Sequence, residues 1–96
     1  MNEESTATIV RAKVTVANMR GLHMRFAGDF AAFSSKFKSS IALCKGRLRA
    51  DGKSILDLVS LSAAPGTSLD LLVEGEDAEM AAKAVMEFFS NYNGDR

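Results

Sequence analysis

The chain has 96 residues, twelve Lys/Arg against twelve Asp/Glu, and 47% hydrophobic residues, enough for one compact domain and its core but not for two. No apolar run approaches the roughly 20 residues of a membrane span. Met1 to Ile9 holds Glu3 and Glu4 without the basic residues of a signal peptide, and the lone Cys44 excludes an internal disulfide, so a soluble, cytoplasmic protein is expected. The balanced charge is unevenly spread: Met1 to Lys53 holds ten Lys/Arg against four Asp/Glu, and Ser54 to Arg96 holds two against eight. Such asymmetry steers charged partners to one side, or simply gives two solvated surfaces.

Residues 1–7 are small and polar and are expected to fray. From Val10 the chain alternates, with Val10, Ala12, Val14 and Val16 on one side and Arg11, Lys13 and Thr15 on the other. This is the period of a half-buried strand. Asn18 to Gly21 breaks it as a loop. Phe26, Phe30, Phe33 and Phe37 then recur at i, i+4, i+7 and i+11, with Ala27 and Ala31 between them. That is the core-facing stripe of a helix running from near His23 to near Lys36.

Ser40 to Lys45 alternates again through Ile41 and Leu43. Gly46 turns the chain into a second partner, Arg47 to Ala50, alternating around Leu48. Asp51-Gly52 is a turn. Ser54, with Asp57 three positions on, has the form of a helix start, and about two turns follow before Pro65-Gly66. Leu69, Leu71 and Val73 alternate with Ser68, Asp70 and Glu74 as a fourth strand. Asp77 is expected to cap a last helix with Ala81, Ala84, Val85, Phe88 and Tyr92 as its buried stripe. Glu79 and Lys83 are spaced for an ion pair, and Asn93-Gly94 for the end. The order β-α-β-β-α-β-α, with every strand amphipathic, points to an α+β domain. Its four-stranded antiparallel sheet would carry three helices on one face. The domain is expected over residues 8–92, between a flexible 1–7 and a tail at 93–96.

The reactive side chains are few: one His, one Cys and one Tyr. No Cys/His cluster suggests a metal, and no glycine-rich loop suggests a nucleotide, so no cofactor is expected. No nucleophile-elbow motif is present. Cys44 reads as a small apolar strand residue. His23 stands out because it lies where a loop meets a helix start. Backbone N–H groups there lack intrahelical partners, and the helix dipole adds positive potential. A phosphate on the imidazole would be received by those N–H groups, and Arg25 would add a guanidinium. The same positive surroundings favour the neutral, nucleophilic imidazole. Position alone equally allows an ordinary surface histidine.

Gly21-Leu-His-Met-Arg-Phe-Ala27 resembles the Gly-Leu-His-Ala-Arg-Pro-Ala motif of the HPr phosphocarrier family of the bacterial phosphotransferase system. Asp51-Gly-Lys-Ser-Ile-Leu-Asp-Leu-Val-Ser-Leu61 resembles that family's second signature, around its regulatory serine. The resemblance spans roughly residues 8–92 and implies an open-faced β-sandwich. It implies that His23 carries the phosphoryl group on Nδ1, with Arg25 orienting it and the backbone N–H groups of Met24 and Arg25 binding it. It implies that Ser54 is the serine modified by a dedicated kinase in some members. It implies that Ile55, Leu56 and Val59 form a docking patch for enzyme I and for sugar-specific acceptor (EIIA-type) domains. Arg20, just before the first motif, and Lys53, within the second and next to Ser54, are expected as basic docking residues.

The protein would then be a monomeric carrier rather than an enzyme. Its further partners would be a serine kinase/phosphorylase and a transcription regulator, with no nucleic acid and no membrane insertion. Phe26 stands where the family has proline and Met24 where it has a small residue. Asp57 adds a negative charge that a phosphate on Ser54 would meet. These three departures also suit a regulatory paralogue serving a nitrogen-type relay or a catabolite-control effector. An RNA-recognition domain shares the element order but stacks bases on strand aromatics, and the strands read here carry none.

Overall fold

A computed structural model describes residues 8–17 and 21–92. The expectations for residues 1–7, for Asn18 to Arg20 and for the Asn93-Gly94 helix end lie outside these. The elements run β1 (Thr8–Thr15), α1 (Met24–Ser34), β2 (Ser40–Lys45), β3 (Leu48–Asp51), α2 (Ile55–Ser60), β4 (Ser68–Gly75) and α3 (Ala78–Asn91). The strands form one sheet in the order β1-β4-β2-β3, every neighbouring pair antiparallel.

Alternation sets the two faces of the sheet. Val14, Leu69, Leu71, Val73, Ile41, Leu43 and Ala50 are buried beneath the helices, with Val10 and Ala12 packed at the margin. The other face carries Arg11, Lys13, Asp70, Glu74 and Arg49 and is uncovered by any described element. Lys13 and Asp70, opposite in register, pair there at 2.7 Å. The result is an α+β open-faced β-sandwich. In β3 the inward residue is Ala50; Leu48, expected to centre that strand, sits at its start and is 52% exposed.

The phenylalanine stripe packs α1 as its spacing requires. Phe26 and Phe30 are fully buried, while Phe33 and Phe37 flank the core. Regular α-helix stops at Ser34, two residues short of Lys36. The N–H groups of Lys36 and Phe37 then bond three residues back, to Phe33 and Ser34, in a tighter last turn. In α3 the deep residues are Ala78, Ala81, Ala82, Val85 and Phe89. Ala84, Phe88 and Tyr92, read as stripe residues, are only half-buried. Phe89 lies at the same spacing from Val85 as the expected stripe allows, and adjacent Phe88 masked it in the sequence. Burying a phenylalanine is worth about 1.5–3 kcal/mol, so this paired aromatic layer carries much of the core. No ion pair joins Glu79 and Lys83 among the described residues.

Asp77 precedes α3, but its carboxylate makes no bond to the helix it was expected to cap. It accepts instead from the Lys38 N–H at 3.0 Å, from the Ser39 N–H at 2.9 Å and from the Ser39 hydroxyl. The entry to β2 is thereby tied to the entry to α3. Those donors outcompete the orphan helix amides because three of them converge on one charged group. Gly75 permits the approach, since a Cβ there would lie 2.5 Å from the Ser39 hydroxyl oxygen.

The Ser39 hydroxyl, with the Lys38 and Ser39 N–H groups, holds the Asp77 carboxyl below the usual carboxylate range. A depressed folded pKa contributes stability above the unfolded value near 4, and that contribution disappears as pH falls through the folded value. Asp77→Asn is therefore expected to lower the urea midpoint at pH 7. Its deficit against the parent should shrink as pH drops from about 5 towards 2. Equal deficits at both ends of that range in a pH series of urea titrations would exclude this role for the charge.

Candidate functional site

The segment leading into α1 is fixed from the far side of the molecule. Leu22 is buried, and its N–H donates to the Ala63 carbonyl at 2.9 Å. Gly21 has φ +71°, and a Cβ on it would lie 2.4 Å from the Ala63 oxygen, so only glycine fits there. Ser62, just before, also sits at positive φ (51°). Val16 exchanges backbone bonds with Gly66 and Thr67 beside it. The segment after α2 thus forms a shelf on which the approach to α1 rests.

His23 comes next, with extended backbone, as the N-cap of α1. Its Nδ1 accepts from the Arg25 N–H at 3.1 Å and, more weakly, from the Phe26 N–H at 3.5 Å. Its backbone carbonyl accepts from the Ala27 N–H at 2.9 Å, the first intrahelical bond. The imidazole thus does what Ser, Asn or Asp usually does at this position. Accepting through Nδ1 places that nitrogen's lone pair on the helix and assigns the ring proton to Nε2. Nε2 is itself shielded from solvent and has no hydrogen-bond partner. The ring as a whole is half-buried and faces the opening turn of α1.

Arg25 is exposed, and its guanidinium makes no hydrogen bond or ion pair among the described residues. Met24 is 59% exposed beside it. Phe26 is wholly buried, so it belongs to the aromatic core. It also contributes the second amide to His23, a donor that proline could not supply.

Short α2 lies against α1: Gly28 faces the Ile55 methyl at about 4.0 Å from where a Cβ would stand. Ile55 is 40% exposed, Leu56 73% exposed, and Val59 half-buried against the core. Leu58 alone anchors the helix fully. Ser54 caps α2, its hydroxyl accepting from the Asp57 N–H at 3.2 Å. The Asp57 carboxylate does not reach back to Ser54. It accepts from the Asp51 N–H at 3.0 Å, while the Ser54 N–H bonds the Asp51 carbonyl. The Lys53 ammonium donates to the Phe37 carbonyl at 2.8 Å and ties the end of α1 to the turn before α2. Arg20 lies outside the described residues.

His23, Met24, Arg25, Ile55 and Leu56 therefore belong to two adjacent helix starts, and Ser54 opens the second. Sequence reasoning did not place the Phe26 amide on His23 Nδ1, nor find the Gly21–Ala63 contact that sets the helix entry. The first was legible as a non-proline residue in the first turn; the second is a long-range contact without a local signal. Among the described residues no group of three or more His, Cys, Asp or Glu could hold a metal ion, and no helix is long and apolar enough to cross a membrane.

The family profile described as "PTS HPr component phosphorylation site" matches residues 10–91. The chain is similar to the phosphocarrier protein HPr of Neisseria meningitidis, 33% identical over 87 residues that cover 91% of this chain and 98% of that one. It is 35% identical to the phosphocarrier protein NPr of Shewanella violacea over 78 residues, 81% of this chain and 86% of the relative. The crystal structure of HPr from Bacillus anthracis superposes with a TM-score of 0.79 at 30% identity, covering 83% of this chain and 95% of the other. With its four-stranded open sheet, its helix-capping histidine and a profile match over most of its length, the chain belongs to the HPr family of phosphocarrier proteins.

Proposed function

We propose that the protein accepts a phosphoryl group on His23 Nδ1 from phosphorylated enzyme I and donates it to EIIA-type acceptor domains. The observation that carries this reading is the Nδ1 lone pair held against the free amides of α1. For attack, the ring turns so that this lone pair faces the donor's phosphorus. A new N–P bond forms in line as the donor's N–P bond breaks, and that electron pair returns to the donor imidazole. The His23 ring proton stays on Nε2, so no proton needs to move.

The turn is cheap for two reasons. It releases Nε2 from a position where an unpartnered buried N–H costs about 1–3 kcal/mol. It also leaves the amides of Arg25 and Phe26, with that of Met24, free to donate to phosphoryl oxygens, so one cap replaces another. The helix dipole favours the incoming charge, and the unengaged Arg25 guanidinium adds a charge-assisted contact. Met24, Ile55, Leu56 and Val59 form an apolar docking rim, with Arg20 as its basic neighbour. Lys53 adds a second basic group there, its ammonium braced against the Phe37 carbonyl. The protein acts as a cytoplasmic monomer and turns over nothing without its partners.

Ser54 is proposed first as a structural cap. A phosphate there would displace the hydroxyl from the cap and add charge near Asp57, which weighs against the kinase role, while the helix N-terminus itself favours an anion. A second reading is favoured by the similarity to an NPr protein and by bulky, exposed Met24. In it the acceptor is a nitrogen-type relay domain, a kinase or a transcription regulator. Transfer from the phosphorylated protein to a sugar-specific domain, against a nitrogen-type one, separates the two.

Incubation with enzyme I and phosphoenolpyruvate is expected to add one phosphoryl mass, seen by phosphorus NMR as a phosphoramidate, and to add none to His23→Ala. Label that persists in His23→Ala would refute the assignment. Arg25→Ala should slow acceptance by roughly tenfold, the scale of one charge-assisted hydrogen bond. Its urea midpoint should stay near the parent's; a large drop in stability would mean Arg25 serves the fold. Ser54→Ala should cost about 1 kcal/mol of unfolding free energy through the lost cap. Unchanged stability in urea titrations would argue against that cap.

A further inference from the structure

Arg25 and Asp29 stand four residues apart on α1, the spacing at which opposite charges meet on a helix surface. Yet no ion pair joins them, and Asp29 is held elsewhere. Its carboxylate oxygen Oδ2 accepts from the Tyr92 hydroxyl at 2.7 Å, across from the end of α3. Tyr92 is itself fixed in place. Its ring meets that of Phe26 edge-on, with centroids 4.6 Å apart, and lies against Phe88 at 5.4 Å. Phe26 is also the residue whose N–H reaches His23 Nδ1. One side chain thus joins the first turn of α1 to the last turn of α3 from within the core.

We propose that Tyr92 is a positioning residue for phosphoryl transfer: by holding Asp29, it keeps that carboxylate off Arg25 and leaves the guanidinium free for the phosphoryl group. This rests on the reading of Arg25 as a phosphate-orienting group. An aspartate four residues beyond an arginine competes intramolecularly with any anion that the arginine must bind. At an exposed helix surface such a pair is worth little, yet it is always at hand. A phenol hydroxyl donating to the carboxylate is a neutral partner for Asp29, so it occupies the oxygen without adding a cation that would repel Arg25. The aromatic contacts with Phe26 and Phe88 limit where the hydroxyl can go and hold the tether in one geometry.

The test uses the full chain and three variants, Tyr92→Phe, Asp29→Asn and the double variant. Acceptance from phosphorylated enzyme I is followed by rapid quench at low ionic strength. Tyr92→Phe keeps the ring and loses the tether, and it is expected to slow acceptance roughly twofold, the scale of a helix-surface ion pair. That deficit should fade at about 1 M salt, where charges are screened within a few ångströms. Asp29→Asn should accept at least as fast as the parent, and the double variant should match Asp29→Asn, since no competitor remains to be released.

A double variant as slow as Tyr92→Phe would overturn the proposal, because a purely structural role is not rescued by removing the charge. A Tyr92→Phe rate equal to the parent's at low salt would also overturn it. Side-chain NMR of Arg25 in unphosphorylated Tyr92→Phe reads the same switch without any transfer, and should shift towards an ion-paired guanidinium. If the parent itself takes no phosphoryl group, the functional reading fails, while this shift still decides whether Tyr92 keeps the charges apart.

Discussion

An α-helix begins with amide hydrogens that nothing inside the helix can satisfy. In this protein the first turn of α1 offers them to the Nδ1 of His23. The fold around them serves to present that turn. The Gly21–Ala63 approach fixes where the chain enters, the buried Phe26 and Phe30 fix the rotation of the helix, and α2 packs beside it with Ile55 next to Gly28. A histidine is an unusual cap because its acceptor atom is also a nucleophile. On the proposed function, the resting contact keeps that atom's lone pair in register with the donors that a phosphoryl group on Nδ1 would use.

The two ends of α1 are held differently. At its start the polar bonds are few and exchangeable: one imidazole nitrogen, a free guanidinium, a carboxylate tethered by a phenol. Beyond its end they are dense. Lys53 binds the Phe37 carbonyl, and Asp77 gathers the Lys38 and Ser39 donors onto one charged group. The firm end anchors the helix against the sheet, and the loose end keeps its donors available. Phe26 bridges the two regimes, its ring in the core and its N–H at the site.

The element order, the strand alternation, the phenylalanine stripe, the start of α1 near His23 and the cap position of Ser54 were all legible in the sequence, because each follows from a local period or a single-residue preference. What was misread depends on contacts distant in sequence. Asp77 has every local mark of a cap, but two backbone amides and a hydroxyl from nearly forty residues away claim its oxygens. Nor does any local pattern show that the Lys53 ammonium reaches the Phe37 carbonyl. In α3, two adjacent phenylalanines left the rotation ambiguous by one position; both meet the rings of Phe26 and Phe30, and Phe89 is the deeper one. Of the site, the residue types were legible, but the direction in which the imidazole points was not, since no sequence pattern encodes a side-chain torsion.

That direction is what the account turns on. Nitrogen NMR of the His23 imidazole in the unphosphorylated protein reads it directly. The account predicts an Nε2–H tautomer, with Nδ1 unprotonated and coupled through a hydrogen bond to the Arg25 amide. A ring that carries its proton on Nδ1, with an Arg25 amide exchanging as freely as one open to water, would contradict it.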